Sequence, residues 1–234
     1  MNRTPERRSA ADPTRLSVQG APAEAPAECP LCPRLVAYRA ANAKAEPSWF
    51  NGAVPSFGDQ NARLLVVGLA PGRSGANRTG RPFTGDYAGE LLYQTLLEFG
   101  FAQGIYKADP HDGLELRDAM ITNAVRCAPP ENKPTPAEIA TCRAYFSARL
   151  SALPRLTVLL ALGRIAHDQT LAALGLRKAH YPFAHGARHP LEGGRALYDS
   201  FHCSRYNTNT GRLTADMFRS VFAAIRREID AAKS

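Results

Sequence analysis

The stretch LLVVGLAPGRSG, residues 64–75, joins a short apolar run to a loop rich in glycine. An apolar run of this length, bounded by turn-forming residues, is typical of a strand buried on both faces. Glycine and proline directly after such a strand form a tight turn in which backbone amides can point at a ligand. The stretch matches neither G-x-G-x-x-G nor a Walker A sequence, which argues against a nucleotide cofactor.

Three further apolar runs continue this pattern and alternate with helical segments. The predicted strands are 64–69, 119–125, 157–162 and 196–201. The predicted helices are 88–99, 136–150, 164–174 and 215–232, and Thr135 followed by Pro136 suits a helix start. This alternation predicts an α/β fold, a three-layer α/β/α sandwich with a central four-stranded, mostly parallel sheet. In such a sheet the binding crevice lies beyond the carboxyl ends of the strands.

The composition favours an anionic partner. Lys and Arg number 29 against 21 Asp and Glu, which gives a formal net charge of +8. An excess of this size is common in proteins that bind nucleic acid, although it also occurs as a solvated surface. No apolar run approaches the roughly 20 residues that a membrane span requires, so we expect a cytoplasmic protein without membrane contacts.

The beginning of the chain differs in composition from the rest. Residues 1–28 carry few large apolar side chains, which predicts a disordered N-terminal tail. A single folded domain is expected at 29–234, because the patterned segments begin near Cys29. Arginines in the tail could add a salt-dependent contribution to nucleic-acid binding.

Five cysteines in a chain expected to be cytoplasmic indicate metal binding, catalysis or burial rather than disulfides. Cys29 and Cys32 form a C-x2-C pair, whereas fourteen residues separate Cys127 from Cys142. A zinc ribbon would present two close pairs, so four thiolates at this irregular spacing fit an iron–sulfur cluster better. The alternative is that Cys127 and Cys142 are buried apolar side chains.

Candidate site residues follow the predicted strands. Phe83, in a loop rich in Gly, Pro and Thr, could stack on a planar base or anchor the loop in the core. Asp86 could cap the next helix or face the crevice as a charge. His202 follows the fourth strand and precedes Arg205 and Arg212, which predicts a loop that binds anions.

Five segments, in order, resemble the uracil-DNA glycosylase superfamily, and within it the type-5 branch that carries iron–sulfur clusters. They are CPLCPRL at 29–35, GLAPG at 68–72 with NRTGRPFTGD at 77–86, NAVRCAPPENKPTP at 123–136, ALGRIA at 161–166 and H-x-S-R-x-N-T-x-T-G-R-L-T at 202–214. The resemblance covers nearly everything from Cys29 onward. It implies the superfamily fold and a 4Fe–4S cluster held by Cys29, Cys32, Cys127 and Cys142.

The resemblance also implies a role for each matching residue. The catalytic residues would be Asp86, Asn132 and His202. The base-binding residues would be Gly68, Ala70, Phe83, Asn123 and again His202. The DNA backbone would be held by Gly72, Gly75, Arg205, Thr210 and Arg212. Leu69 stands where other branches carry a water-activating polar residue, and Cys203 replaces the proline common after the histidine.

The implied activity is that of a monofunctional DNA glycosylase in base excision repair, which flips uracil out of double-stranded DNA and leaves an abasic site. Type-5 relatives also accept hypoxanthine, ethenocytosine and hydroxymethyluracil. The motifs contain no evident lysine nucleophile, so no lyase step is expected, and we expect a monomer. Two alternatives remain open at this point. One is a cluster protein that binds lesions without cutting them, and the other is a zinc-stabilised nucleic-acid-binding module.

Overall fold

The computed structural model describes residues 22–232. Its strands are Phe57–Gly58 (β1), Leu64–Gly68 (β2), Ala102–Gln103 (β3), Glu115–Leu116 (β4), Ala119–Asn123 (β5), Val158–Leu162 (β6), Arg188–Pro190 (β7) and Ala196–Ser200 (β8). Its helices are Pro33–Ala45 (α1), Ala76–Thr79 (α2), Tyr87–Glu98 (α3), Pro136–Ser151 (α4), Arg164–Ala173 (α5), Arg205–Asn209 (α6) and Ala215–Ala231 (α7). Within the described residues, no helix is both long and apolar enough to cross a membrane.

The central sheet has six strands in the order β1-β5-β2-β6-β8-β7. The middle four, β5, β2, β6 and β8, are parallel, and Leu65 pairs with both Met120 and Leu159. They coincide with the four predicted strands, so the mostly parallel sheet is confirmed. The predicted strand number was too low. Antiparallel β1 and β7 add one edge strand each, and strands of two and three residues are too short to show an alternating pattern.

Helices cover both faces of the sheet, which confirms the three-layer α/β/α architecture. Every residue of the four parallel strands is buried, as their continuous apolar sequence predicts. On one face, Leu92 of α3 and Phe222 of α7 pack in one cluster with Val66. On the other face, Phe146 of α4 and Leu171 of α5 pack in a second cluster with β2 and β6. Burial of each such side chain contributes about 1.5–3 kcal/mol.

Side chains fix where the helices begin. Thr135 caps α4 in a capping box, in which its hydroxyl accepts from the Glu138 amide while the Glu138 carboxylate accepts from the Thr135 amide. This confirms the predicted helix start. Helix α1 was not predicted, because its only buried residues are Leu35 and Asn42 and its apolar stripe is therefore weak.

The first described residues, 22–28, belong to the segment that the sequence predicts as a disordered tail. Ala25 is buried, and Glu24 Oε1 accepts a hydrogen bond from Arg149 Nε at 2.9 Å. The other carboxylate oxygen lies 3.2 Å from a terminal guanidinium nitrogen of Arg126. Residues 22–28 therefore pack against the body through charge, which an apolar pattern does not reveal. The rest of the predicted tail, residues 1–21, lies outside the described residues.

Candidate active site

A cleft with a volume of about 370 Å³ opens at the carboxyl ends of the parallel strands. The sequence-predicted residues that line it together are Ala70, Gly72, Phe83, Asp86, Asn123, Asn132, His202 and Arg205. They come from loops that follow β2, β5 and β8, as expected for a sheet of this type. The cleft is also lined by six residues that were not predicted as site residues, namely Leu69, Pro71, Ala76, Tyr87, Ala88 and Ser204. Ser204 carried a signal, because a serine suits the N-cap that it forms on α6.

Two glycines, Gly68 and Gly75, leave room for the side chains that line the cleft, because they have no Cβ. A Cβ on Gly68 would lie 2.3 Å from Asn123 Oδ1 and 2.8 Å from the Phe83 ring. A Cβ on Gly75 would lie 2.5 Å from Asp86 Oδ2. Both contacts are shorter than real side chains tolerate, so glycine at these positions lets Asn123, Phe83 and Asp86 approach the backbone of the first loop.

Asp86 combines the two uses that its sequence context left open. Its Oδ1 accepts a hydrogen bond from the Gly89 amide at 3.2 Å and so caps α3. Its Oδ2 faces the loop at 72–75, as the close approach to Gly75 shows. Burial raises the pKa of Asp86, although the bonds from the Gly89 and Ala88 amides oppose that shift. A partly desolvated carboxylate with one oxygen toward the cleft can accept a proton or oppose a positive charge.

His202 and Phe83 form a stacked pair at the base of the cleft. Their ring centroids are 5.8 Å apart and their planes differ by 28°. Burial lowers the pKa of His202 to about 4, so the imidazole is neutral at neutral pH. A neutral imidazole offers one N–H donor and one acceptor nitrogen. Phe83 has φ of 54°, a left-handed conformation that is costly for a residue other than glycine.

Two asparagines complete the polar lining. Asn123 ends β5, is 3% exposed, and its Oδ1 is buried without a hydrogen-bond partner among the described residues. An unpartnered buried acceptor costs about 1–3 kcal/mol, so it marks a place where a ligand can donate. Asn132 lies in a turn where it and Glu131 both have positive φ, at 58° and 55°. Asparagine tolerates this conformation better than most residues.

The predicted contacts to the DNA backbone divide into two groups. Arg205 lies at the cleft, with its guanidinium carbon 5.2 Å from the centroid of the Tyr87 ring. Thr210 and Arg212 lie outside the cleft lining on the exposed surface beyond α6. The Thr210 hydroxyl donates to the Tyr206 carbonyl at 2.8 Å, and Arg212 lies over the Phe201 ring at 4.6 Å. The structure therefore places these two residues beside the cleft.

The four cysteines predicted to bind metal line one separate cavity, together with Leu35 and Tyr145. Two of the sulfurs accept hydrogen bonds, Cys127 from Arg39 at 3.5 Å and Cys142 from the Arg126 amide at 3.3 Å. Cys203 is elsewhere, where its thiol donates to the Ala88 carbonyl. Burial, followed by the charges of neighbouring thiols, raises the pKa of Cys32 to about 11. Four thiols that affect one another in this way can share a metal centre.

The spacing of these sulfurs bears on the kind of centre. Among the described residues, the group compact enough to hold a single metal ion is His167, His189 and Asp199, and the four cysteines do not form such a group. A single zinc ion binds sulfur at about 2.3 Å and needs a compact tetrahedral set. Among the described residues, the four cysteines that line the cavity do not form a compact set of that kind. The His–Asp–His group is a buried hydrogen-bonded set, with His167 Nδ1 2.7 Å and His189 Nε2 2.9 Å from the Asp199 carboxylate.

Comparison with known proteins agrees with this arrangement. The family model for the uracil DNA glycosylase superfamily matches residues 55–226. The type-5 uracil-DNA glycosylase of Thermus thermophilus is 50% identical over 205 residues, which cover 85% of this chain and 93% of that protein. The type-5 enzyme of Pyrobaculum aerophilum is 42% identical, with 82% and 85% covered, and that of Mycobacterium tuberculosis is 38% identical, with 85% and 77% covered. The chain therefore belongs to the uracil DNA glycosylase superfamily and, within it, to the type-5 branch.

Proposed function

We propose that the protein is a monofunctional DNA glycosylase that hydrolyses the N-glycosidic bond of uracil in double-stranded DNA and leaves an abasic site. One observation carries the proposal. A single cleft brings together a carboxylate with one oxygen toward the cleft (Asp86), a neutral histidine (His202) and a buried amide oxygen without a partner (Asn123). The printed names of the type-5 relatives support uracil as the substrate. Base excision repair in the cytoplasm, by a monomer, is the setting that we propose.

Recognition of uracil requires that the nucleotide leave the base stack. A side chain in the cleft cannot reach the glycosidic bond inside a duplex, so the base must be flipped, at a cost of a few kcal/mol. Phe83 offers a ring on which a flipped base can stack. The unpartnered Oδ1 of Asn123 can accept the N–H of uracil that lies between its two carbonyls, while the amide nitrogen can donate to a carbonyl.

The chemistry follows from charge. The C1′–N1 bond breaks, its electron pair goes to the uracil ring, and positive charge develops on the sugar. Asp86 opposes that charge and, with Asn132, orients the attacking water and accepts its proton. The neutral His202 donates a hydrogen bond to the departing uracil anion, an interaction worth a few kcal/mol in the transition state.

The absence of a lysine supports hydrolysis alone. Among the described residues, no lysine lines the cleft, so the amine that a lyase step needs is missing there. Hypoxanthine, ethenocytosine and hydroxymethyluracil are further proposed substrates. The cleft volume of about 370 Å³ lies within the range of about 300–1,000 Å³ typical of small-molecule sites. It has room for bases larger than uracil.

DNA is held on either side of the cleft. Arg205 at the cleft and the backbone amides near Gly72 and Gly75 would bind the phosphates of the flipped nucleotide. Thr210 and Arg212, beside the cleft, would bind phosphates farther along the strand. This division assigns Arg205 and the two backbone amides to the flipped nucleotide and the outer pair to docking farther along the strand.

We propose that Cys29, Cys32, Cys127 and Cys142 hold a 4Fe–4S cluster. The shared cavity, the N–H donors at two sulfurs and the spacing unsuited to a single ion support the assignment. When bound, the cluster is a covalent cross-link that joins the start of the domain to the loop after β5 and to α4. Metal analysis of the purified protein tests this. Iron together with absorbance at about 400 nm supports the cluster. Zinc in a colourless protein would instead support the zinc-stabilised nucleic-acid-binding module.

The experiment that tests the activity is alkaline cleavage of labelled duplexes that carry U·G, U·A, hypoxanthine or ethenocytosine. Strand breaks that appear only after alkali establish a monofunctional glycosylase and rank its substrates. Breaks before alkali would establish a lyase. Intact strands combined with a gel shift on damaged duplex would favour a protein that binds lesions without cutting them. Asp86→Asn is the control, because asparagine retains the helix cap and removes the charge.

A further inference from the structure

The backbone of Phe83 needs support from its surroundings. Its φ of 54° lies in the left-handed region, where a bulky residue is strained and persists only if neighbouring contacts hold it there. The ring points toward Gly68 and His202, so this backbone conformation decides whether the ring lines the cleft. Relaxation of the backbone would move the ring.

Arg81 bonds to Thr84 and so joins the residues that precede and follow Phe83 in the sequence. Its side chain is 4% exposed, and its Nε donates to the Thr84 hydroxyl at 2.7 Å, across the Pro82–Phe83 pair. Its two terminal nitrogens donate to the two carboxylate oxygens of Asp112, both at 2.8 Å. The whole fork of the guanidinium is therefore used, with the fixed planar geometry that only arginine provides.

Asp112 is itself held rigidly. Its side chain is fully buried, and its carboxylate also accepts hydrogen bonds from the amides of Lys107 at 2.9 Å and Leu114 at 3.0 Å. Rings of Phe57, Tyr93 and Tyr106 surround Arg81, with centroids 5.2–5.7 Å from its guanidinium carbon. An ion pair enclosed by three aromatic rings is shielded from water and keeps one geometry.

The same rings hold the carbonyls of the strained segment. The Tyr93 hydroxyl donates to the Pro82 carbonyl at 2.6 Å, and the Tyr106 hydroxyl donates to the Phe83 carbonyl at 3.3 Å. Tyr93 and Tyr106 stack on each other at 4.6 Å. The segment 106–112 therefore contacts Arg81 through Asp112 and the Phe83 carbonyl through Tyr106, without lining the cleft itself.

We propose that Asp112, acting through Arg81, is a positioning residue that fixes Phe83 for stacking on the flipped base. The inference rests on the proposed glycosylase function and on the role assigned there to Phe83. Loss of the carboxylate leaves Arg81 buried without its counter-charge and releases the segment 81–84. The strained backbone then relaxes, and the ring leaves the position from which it contacts a base.

The test is a double-mutant cycle on single-turnover excision of uracil from a U·G duplex, well below the melting temperature of every variant. Asp112→Ala should slow excision about tenfold, because the relaxed segment must return to the strained conformation before Phe83 can stack on the base. In a Phe83→Ala background, Asp112→Ala should have no further effect, because its target is gone. Additive losses would overturn the proposal, as would full activity of Asp112→Ala.

The matched control is Asp118→Ala. Asp118 also pairs with a largely buried arginine, Arg63, but at the opposite end of the sheet. Its loss should lower the melting temperature and leave the excision rate unchanged, which separates positioning from general destabilisation. Should Asp112→Ala fail to fold, Arg81→Lys serves instead. It keeps the charge and loses the two-pronged bond, so excision should slow in the wild-type background and not in Phe83→Ala; additive losses in that cycle would equally overturn the proposal.

The outcomes distinguish the inference from the function on which it rests. A wild-type protein that excises no base refutes the proposed glycosylase. An active wild type with a fully active Phe83→Ala variant refutes the stacking role and the inference with it. An active wild type, an impaired Phe83→Ala and an Asp112→Ala that is unaffected or additive refute only the positioning by Asp112.

Discussion

Two sites at opposite ends of the parallel sheet, the Arg63–Asp118 pair and the cleft around Asn123 and Phe83, differ in how their polar groups are satisfied. At the amino end, Arg63 precedes β2 and donates to Asp118 before β5 at 2.8 Å, and it also donates to the Ile229 carbonyl at 2.9 Å. At the carboxyl end, Asn123 Oδ1 has no partner among the described residues, and Phe83 is held in a strained conformation. Satisfied groups stabilise a fold, whereas unsatisfied and strained groups await a ligand. The contrast assigns stability to one end and recognition to the other.

The largest expected effect on the excision rate comes from a substitution in the cleft at the carboxyl end of the sheet. Asp86→Asn should slow uracil excision by about 10²- to 10⁴-fold, because the charge that opposes the sugar cation and orients water is lost. The unfolding free energy should change by less than about 0.5 kcal/mol, since asparagine caps a helix as well as aspartate does. Single-turnover kinetics and urea denaturation measure the two quantities. An Asp86→Asn variant with full activity would place the catalytic charge elsewhere.

The matching change at the amino end should have the opposite profile. Asp118→Ala leaves Arg63 largely buried without its carboxylate and should cost about 1–3 kcal/mol, less than a fully buried pair because Asp118 keeps 23% of its side-chain exposure. The rate of excision at about 20 °C should not change. Urea denaturation beside the excision assay checks both. A loss of rate without a loss of stability would mean that the two ends are coupled.

Excision, which depends on the carboxyl end of the sheet, and stability, which depends on the amino end, should also differ in their response to acid. Burial raises the pKa of Asp86, so its carboxylate takes up a proton at a higher pH than an ordinary aspartate, and excision should slow as the pH falls through that raised pKa. Burial opposes ionisation of Asp118 as well, but the hydrogen bonds and charge of Arg63 outweigh it and keep the pKa of Asp118 low. The pair therefore stabilises the fold at pH values above the unfolded-state pKa of Asp118, about 3.9. This contribution disappears only as the pH falls through the lower pKa of the folded state.

The measurement is a pH–rate profile of the wild type beside the pH dependence of the stability difference between wild type and Asp118→Ala. The rate should decline at a higher pH than the stability difference does. A rate that declines only at the pH where the stability difference declines, and no earlier, would show that Asp86 acts without its charge.

The smallest effect should come from the docking residues beside the cleft. Arg212→Ala removes one phosphate contact, so it should weaken DNA binding and lower the slope of log affinity against log salt by about 1. The single-turnover rate on saturating enzyme should stay the same, because Arg212 lies over Phe201 and outside the cleft. Salt titration of duplex binding measures the slope. A slower single-turnover rate with an unaltered slope would move Arg212 into the catalytic group.

Continuous apolar runs made the four parallel strands predictable, because burial on both faces leaves a local signal in the sequence. The ordered motifs likewise indicated most of the residues that meet in the cleft. Helix α6 was not predicted, and for that reason no sequence pattern indicated that Thr210 and Arg212 lie beside the cleft. The Arg81–Asp112 pair left no signal either, since a contact between residues distant in sequence depends on how two loops fold together.

Glu24 has a consequence for how short this chain can be made. Its single carboxylate is a counter-charge shared by Arg126 and Arg149, which are 1% and 5% exposed. Arg126 also contributes the amide that donates to Cys142 in the wall of the cysteine cavity. A chain shortened to begin at the C-x2-C pair would retain two interior positive charges with no counter-ion. Removal of the residues before Cys29 would therefore have the effect of deleting a buried negative charge. The cysteine cavity, which Arg126 contacts through Cys142, should be disturbed first.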